Sequence, residues 1–125
     1  MTTFTRNQLG ALGGEQLATE HLESLGVRIL VRNWRCRYGE LDVIAAAPPD
    51  GTLVFVEVKT RTGDGFGGVE YAVTPAKVRR IRRLVGIWLA GQDRSWAAVR
   101  IDVIGGVRIG RRRTPEIIHL RGGVG

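Results

Sequence analysis

Hydrophobic and polar positions alternate with period two from Leu53 to Arg61, and this alternation predicts a β-strand. One face of the strand carries three valines, and the other carries Phe55, Glu57 and Lys59. Charged side chains beside a hydrophobic core need partners. This strand is therefore a candidate for chemistry as well as for structure.

The first stretch of helical periodicity runs from about Arg6 to Leu25. It follows a capping-box pattern, Thr5 with Gln8, and it stops at Gly26, a residue suited to the end of a helix. One stripe of this helix is predicted to hold Ala11, Glu15, Ala18, Leu22 and Leu25. Glu15 thus lies on the apolar stripe, either near a functional site or as a border residue that reaches solvent or an arginine.

The second helical stretch begins with Thr74 as N-cap and Pro75 in the first turn, and it ends at Gly91. Its predicted buried stripe consists of Val78, Ile81, Val85, Trp88 and Leu89. A basic face lies opposite and consists of Arg79, Arg80 and Arg83. Lys77, in the first turn, either reaches a site on the sheet or extends its ammonium group into water.

Four other strands are predicted, over residues 27–33, 40–46, 96–104 and 116–120. The connections are a surface turn (34–39), a type I turn (48–51), a glycine-rich loop (62–73), a basic hairpin-like segment (105–113) and a disordered end (121–125). The order is α-β-β-β-α-β with a short C-terminal strand. A right-handed helical crossover makes the third and fourth strands parallel. We therefore expect one domain over residues 1–125, ordered from about 5 to 120, with a mixed α/β sheet.

The turn at residues 48–51 fixes the pairing of the second and third strands. With Pro49 and Asp50 at its centre, Asp42 faces Glu57 and Glu40 faces Lys59. Two carboxylates opposite each other repel, unless a divalent cation lies between them. This arrangement predicts a raised pKa for at least one of Asp42 and Glu57. The alternative is a shifted register in which Glu57 and Lys59 form ordinary ion pairs.

Charge and composition narrow the functional class. The chain has 19 basic and 12 acidic residues and a net charge of +7, which favours a polyanionic partner such as nucleic acid. An arginine-rich codon usage is the alternative. Cys36 is the single cysteine and forms no internal disulfide. No apolar stretch predicts a membrane span or a signal peptide, so we expect a cytoplasmic protein. Asp102 resembles a charged residue at a strand end, and we assign it no function. His119 is interpreted as a strand residue on a half-exposed face, and we expect no metal role for it without a second His or Cys nearby.

Three segments together resemble the PD-(D/E)XK nuclease superfamily, which has a restriction-endonuclease-like core. They are Glu15 in the first helix, Gly39-Glu40-Leu41-Asp42, and Phe55-Val56-Glu57-Val58-Lys59. The arrangement is similar to archaeal Holliday-junction resolvases. From about Leu9 to Leu120 the chain more closely resembles the small bacterial YraN-like family, which is named for sequence rather than for an activity. Leu41 stands where that family usually has Ile, and the superfamily's Pro before the Asp is absent.

The resemblance implies a site and a substrate. Asp42, Glu57 and the carbonyl of Val58 would hold Mg²⁺ or Mn²⁺, with Glu15 bound directly or through water. Lys59 would orient the attacking water or stabilise charge on the phosphate. The residues expected to hold the nucleic-acid backbone are Arg35, Arg37, Arg61, Lys77, Arg79, Arg80 and Arg83. The implied activity is DNA cleavage, and a homodimer would suit branched DNA. A non-catalytic nucleic-acid-binding module, or an adaptor for an acidic protein, is the alternative.

Overall fold

The computed structural model describes residues 14–47, 51–61, 74–107 and 116–122. In chain order the elements are α1 (Gly14–Ser24), β1 (Arg28–Cys36), β2 (Gly39–Ala47), β3 (Thr52–Arg61), α2 (Pro75–Ala90), β4 (Ala98–Val107) and β5 (Glu116–Leu120). The strands form one five-stranded sheet in the order β1-β2-β3-β4-β5. The predicted mixed α/β architecture and the predicted order of elements are confirmed.

Strand β3 lies at the centre of the sheet, and its two neighbouring strands run in opposite directions to each other. It pairs antiparallel with β2 and parallel with β4, from Thr52 opposite Ala98 to Arg61 opposite Val107. The remaining pairs, β1 with β2 and β4 with β5, are antiparallel. The parallel pairing of β3 with β4 confirms the prediction that α2 serves as the crossover between them.

The sheet buries both of its faces, because alternate side chains of β2 and β3 pack against different helices. Ala18 and Leu22 of α1 pack on the face that includes Val43, Ala45, Val54, Val56 and Ile104. Four side chains of α2 pack on the other face, which includes Ile44, Leu53 and Phe55. Phe55 meets Trp88 of α2 edge to face, with ring centroids 5.7 Å apart. The two helices therefore lie on opposite sides of the sheet.

Helix α1 ends where the glycine signal indicates. Gly26 has φ +82°, and the N–H of Val27 donates to the carbonyl of Leu22 at 3.0 Å. The prediction that Leu25 joins the buried stripe is wrong, since its exposed fraction is 52%. Helix α1 stops at Ser24, and Leu25 falls in the turn that follows. The predicted start of this helix, including Thr5, lies outside the described residues.

Helix α2 confirms both predicted ends. The Thr74 side chain accepts a hydrogen bond from the N–H of Lys77 at 3.2 Å, Pro75 stands in the first turn, and Gly91 is the C-cap. Ile81, Val85 and Trp88 are buried as predicted, whereas Val78 and Leu89 are only half-buried. The structure adds Leu84 to the buried stripe.

The predicted surface turn at residues 34–39 is wrong for most of its length. Strand β1 continues to Cys36, with Trp34 opposite Leu41 and Cys36 opposite Gly39, so the turn is only Arg37 and Tyr38. The turn was predicted from a run of aromatic and arginine residues, but pairing with β2 and packing of Trp34 on the α2 side of the core extend the strand. Cys36 is half-buried and free.

Residues near the C-terminus are more ordered than the sequence predicts. Strand β5 has the predicted bounds, but the prediction of disorder is wrong for Arg121 and Gly122, which form a turn. Strand β4 starts two residues later than predicted and extends to Val107. The predicted turn at 48–50, the glycine-rich loop and the segment 108–115 lie outside the described residues. No helix in the described part of the chain is long and apolar enough to cross a membrane.

Candidate functional site

Asp42 and Glu57 are brought side by side by the predicted register. The observed pairs of β2 with β3 run from Ala47 opposite Thr52 to Val43 opposite Val56, which is the register that the turn predicts. One residue further along, the same register places Asp42 beside Glu57. The backbone pairing itself stops at Val43. Beyond it, the N–H of Val58 donates to Oδ2 of Asp42 at 2.8 Å. A carboxylate therefore takes over the acceptor role at the point where the ladder ends.

Asp42 is a partly buried carboxylate with other carboxylates nearby. Burial and, after it, the negative charges of Glu57, Glu15 and Glu40 raise its pKa from the ordinary 3.8 to about 7, against the opposing effect of the Val58 hydrogen bond. The prediction of a raised pKa is thus confirmed for Asp42. A bound cation would reduce the repulsion among these carboxylates.

The raised pKa of Asp42 predicts that the metal-free protein loses stability as pH rises. The unfolded chain releases the proton near pH 3.8 and the folded chain near pH 7, so the loss accumulates between these values and is complete above pH 7. Its size is a few kcal/mol at most, since one pKa unit corresponds to about 1.4 kcal/mol. The measurement is the free energy of unfolding in denaturant from pH 4.5 to pH 8.

Asp42→Asn is the control for this pH dependence, because it keeps the shape of the side chain and cannot ionise. Burial and the neighbouring His119 lower the pKa of His21, and a lowered histidine pKa makes stability rise with pH. The difference between wild type and Asp42→Asn therefore isolates Asp42. A difference that stays constant from pH 4.5 to pH 8 would contradict the assignment.

Glu57 is held by two ammonium groups. Its Oε1 lies 3.1 Å from Nζ of Lys59 and 3.4 Å from Nζ of Lys77, and its side chain is 13% exposed. Lys77 therefore reaches the site, which is one of the two alternatives open from the sequence. The side chain of Glu40 does not pair with Lys59; it contacts Nε of Arg35 at 3.1 Å, across the β1–β2 hairpin.

A cavity of about 320 Å³ connects these groups on the α2 side of the sheet. It is lined by Tyr38, Gly39, Glu40, Asp42, Glu57, Lys59, Lys77, Arg80 and Ile81. Gly39 has φ +145°, and a Cβ there would lie 3.2 Å from Cδ1 of Leu84. This position needs glycine because the hairpin turns close against α2 beside the cavity. Three acidic and three basic side chains share one opening, an arrangement suited to a cation and an anion together.

A basic rim surrounds the cavity at the β1–β2 turn and along α2. The guanidinium of Arg83 lies 4.2 Å from the ring centroid of Tyr38, and that of Arg37 lies 5.2 Å from it. Tyr38 is itself 45% exposed. Arg35, Arg79 and Arg80 are also exposed, whereas the side chain of Arg61 lies outside the description. Arginine beside an exposed aromatic ring can contact phosphates and stack on bases.

Mg²⁺ and Mn²⁺ fit the donor atoms of Asp42 and Glu57. Mg²⁺ is commonly held by one or two carboxylates, with waters and substrate oxygens completing its shell. Within the described residues no three His, Cys, Asp or Glu side chains gather as a metal-ligand group. Glu15 therefore does not join the other two carboxylates as a third ligand there, although its charge acts on Asp42. Binding at Glu57 also requires it to loosen a lysine contact.

Asp102 is a residue whose importance the sequence interpretation missed. It is fully buried within β4, not at a strand end, and it accepts hydrogen bonds from Arg100, His119 and the N–H of Gly122. His119 is half-buried, and its side chain is 10% exposed. An aspartate between Ile101 and Val103 in an apolar strand was the available signal, since a buried charge requires partners.

The fold and the site define a class: a mixed α/β protein with an acidic and lysine-bearing cavity under an arginine-rich rim. A family model described as Uncharacterised protein family UPF0102 matches residues 14–105. A UPF0102 protein of Mycobacterium avium (strain 104) is 71% identical over 121 residues, which is 97% of this chain and 93% of the relative. One of Mycobacterium bovis (strain BCG / Pasteur 1173P2) is 65% identical over 125 residues, covering 98% and 96%.

This chain belongs to the UPF0102 family. This confirms the expectation that the chain belongs to a family named for sequence rather than for an activity. The names of these relatives state no activity. Membership of the nuclease superfamily and similarity to archaeal resolvases stay predictions.

Proposed function

We propose that this protein is a metal-dependent nuclease that hydrolyses phosphodiester bonds in DNA, with branched DNA among its candidate substrates. One observation carries the proposal: Asp42 and Glu57 lie side by side on adjacent strands, with Lys59 on Glu57, in a cavity open to an arginine-rich surface. Structural ion pairs alone do not require two carboxylates to crowd together, since such crowding costs stability. The arrangement suits charges that arrive with a ligand.

The proposed roles divide the side chains into metal ligands and one lysine that contacts the reacting groups. Asp42 and Glu57, with the carbonyl of Val58, would hold Mg²⁺ or Mn²⁺, and Glu15 would act through its charge or through water. When bound, the cation supplies Lewis-acid polarisation of the phosphate and lowers the pKa of a coordinated water. Lys59 donates hydrogen bonds to the attacking water or to a phosphate oxygen and so stabilises negative charge in the transition state.

The basic rim would hold the sugar–phosphate backbone without reading bases. Arg37 and Arg83 lie on Tyr38 at the edge of the cavity, and Arg80 and Lys77 lie on its wall. Arg35 and Arg79 extend the basic surface. Such contacts position a nucleic acid and give binding that weakens steeply with salt. The net charge of +7 has the same consequence. The homodimer expected for a branched substrate stays a prediction.

Incubation with single-stranded, duplex, flap and four-way-junction DNA in Mg²⁺ and in Mn²⁺ tests the proposal directly. We expect cleavage of at least one of these substrates, abolished by a chelator and by Asp42→Ala or Glu57→Ala. RNA of the same sequence serves as the comparison substrate. Cleavage that survives in both alanine variants would falsify the site assignment, because another part of the protein or a contaminant would then be responsible.

A non-catalytic nucleic-acid-binding module is the second candidate, and one observation favours it. Lys59 and Lys77 already neutralise Glu57, and the described residues present no three-ligand group for a metal. A chain that has lost catalysis would keep the basic rim. Salt-dependent binding to DNA or RNA, measured by fluorescence anisotropy, without cleavage in either metal would select this function. The protein-adaptor alternative requires no nucleic-acid binding at moderate salt.

A further inference from the structure

On the other side of the sheet, α1 and β5 bring two imidazoles together beside a buried aspartate. Nε2 of His21 lies 3.1 Å from Nδ1 of His119, and the ring planes meet at 78°. Nε2 of His119 lies 2.8 Å from Oδ2 of Asp102. None of these residues lines the cavity of Asp42 and Glu57. This His21–His119–Asp102 cluster therefore needs a separate explanation.

Asp102 is a buried carboxylate that orients the ring of His119 through a hydrogen bond. Its Oδ1 accepts from Arg100 and from the N–H of Gly122, while Oδ2 accepts from His119 and more weakly from Arg100. Burial alone raises the pKa of Asp102, but these hydrogen bonds outweigh burial and hold the pKa below its usual value. The ionised carboxylate fixes the proton of His119 on Nε2. In neutral His119 the lone pair is then on Nδ1, which faces His21.

The same pattern occurs in protein metal sites that use histidine. A metal-binding imidazole usually donates its second ring N–H to a carboxylate, which fixes the tautomer and increases ligand basicity. Burial lowers the pKa of His21, and so does His119, which favours the neutral imidazole that a metal requires. Two nitrogens bound to a tetrahedral Zn²⁺ at about 2.0–2.1 Å lie roughly 3.3 Å apart. The observed separation is 3.1 Å.

We propose that His21 and His119 bind a divalent transition-metal ion, best matched by Zn²⁺, with Asp102 as the outer carboxylate. Imidazole nitrogen suits Zn²⁺ and related ions, whereas Mg²⁺ prefers oxygen. Among the described residues no third His, Cys, Asp or Glu completes a ligand group, so water occupies the other positions. The ion joins α1 to β5 across 98 positions of sequence. This site is independent of the proposed nuclease function.

Zinc titration of the full-length, chelator-treated protein tests the proposal. Calorimetry gives the affinity for Zn²⁺, and Co²⁺ as a probe gives visible absorption bands that report nitrogen ligation. We expect His21→Ala to weaken Zn²⁺ binding by at least about tenfold and Asp102→Asn by about 10–100-fold. His21→Gln is the second variant, since glutamine keeps a hydrogen-bonding side chain on α1. Circular dichroism verifies that each variant is folded.

Two control proteins separate this site from the other possible metal ligands. The double variant Asp42→Asn with Glu57→Gln removes the carboxylate cavity, and Cys36→Ser removes the free thiol; both keep the two histidines. Each is expected to bind Zn²⁺ with unchanged affinity, and excess Mg²⁺ is expected not to compete. Absence of Zn²⁺ binding by the wild type overturns the proposal. So does a loss smaller than about tenfold in both folded His21 variants. In either case the two imidazoles share only an N–H···N hydrogen bond.

Discussion

Asp42→Asn is expected to lower metal-dependent DNA cleavage by at least about 10³-fold, since a catalytic metal contributes several kcal/mol and each 1.36 kcal/mol is tenfold in rate. The same substitution removes a charge that burial and neighbouring carboxylates oppose, so the metal-free protein becomes more stable above pH 7. A hundredfold excess of Mg²⁺ over Kd should stabilise the wild type by about 2.7 kcal/mol and leave the variant unchanged. Cleavage rates and thermal unfolding with and without Mg²⁺ provide the measurements.

Glu40→Gln is the matched control for Asp42→Asn. Glu40 lines the same cavity and also raises the pKa of Asp42, but it pairs with Arg35 and is 54% exposed. We expect it to keep cleavage within about tenfold and to keep the Mg²⁺ stabilisation, because an exposed ion pair contributes little. If both variants lose cleavage equally, the total negative charge of the cavity determines the activity and Asp42 has no special role. If neither does, the metal site is elsewhere or absent.

Lys59→Met is expected to lower cleavage by about 10²–10³-fold, the scale for loss of one donor in the transition state. Mg²⁺ affinity should stay the same or increase, because the substitution removes a positive charge 3.1 Å from Glu57. DNA affinity should change little, since many arginines would share the phosphate contacts in the proposed complex. Three measurements are needed: cleavage rate, metal binding by calorimetry and DNA binding by anisotropy.

Lys77→Met provides the comparison within the same ion-pair cluster. It removes the second ammonium from Glu57, 3.4 Å away, and should likewise favour metal binding. Because Lys77 lies on α2 and is proposed to contact DNA rather than the attacking water, its loss should lower cleavage less than tenfold at saturating DNA (about 1 kcal/mol). The catalytic role of Lys59 is wrong if Lys59→Met loses metal binding and folding together while its folded fraction cleaves normally.

The sequence was sufficient where local chemistry determines structure. Thr74 and Pro75 begin α2 as predicted, because a hydroxyl acceptor and a residue without an N–H are both suited to a helix start. The position of Asp42 beside Glu57 followed from the register that one turn sets, since the number of residues in a hairpin turn determines which side chains face each other. Both features depend on neighbours that are close in sequence.

The sequence was insufficient where tertiary packing determines structure. Asp102 was taken for a strand-end charge because its partners are distant in sequence: His119 lies 17 positions away, and His119 in turn contacts His21 across 98 positions. The side chain of Leu25 has the right periodicity for the core, but the helix ends before it. Trp34 was assigned to a turn from the aromatic and arginine residues around it, but it pairs with Leu41 within a strand, an environment in which tryptophan is enriched.

The hydrogen bond from Val58 to Asp42 gives the candidate site an internal spectroscopic probe. Its donor is a backbone amide, which appears as one peak in a ¹⁵N-correlated NMR spectrum, and its acceptor is the carboxylate whose pKa lies near 7. The shift of that peak should follow the charge on Oδ2 during a pH titration. Addition of Mg²⁺ at pH 7 should move it because the cation withdraws electron density from the same carboxylate. The state of the carboxylate pair thus becomes readable without any knowledge of the substrate.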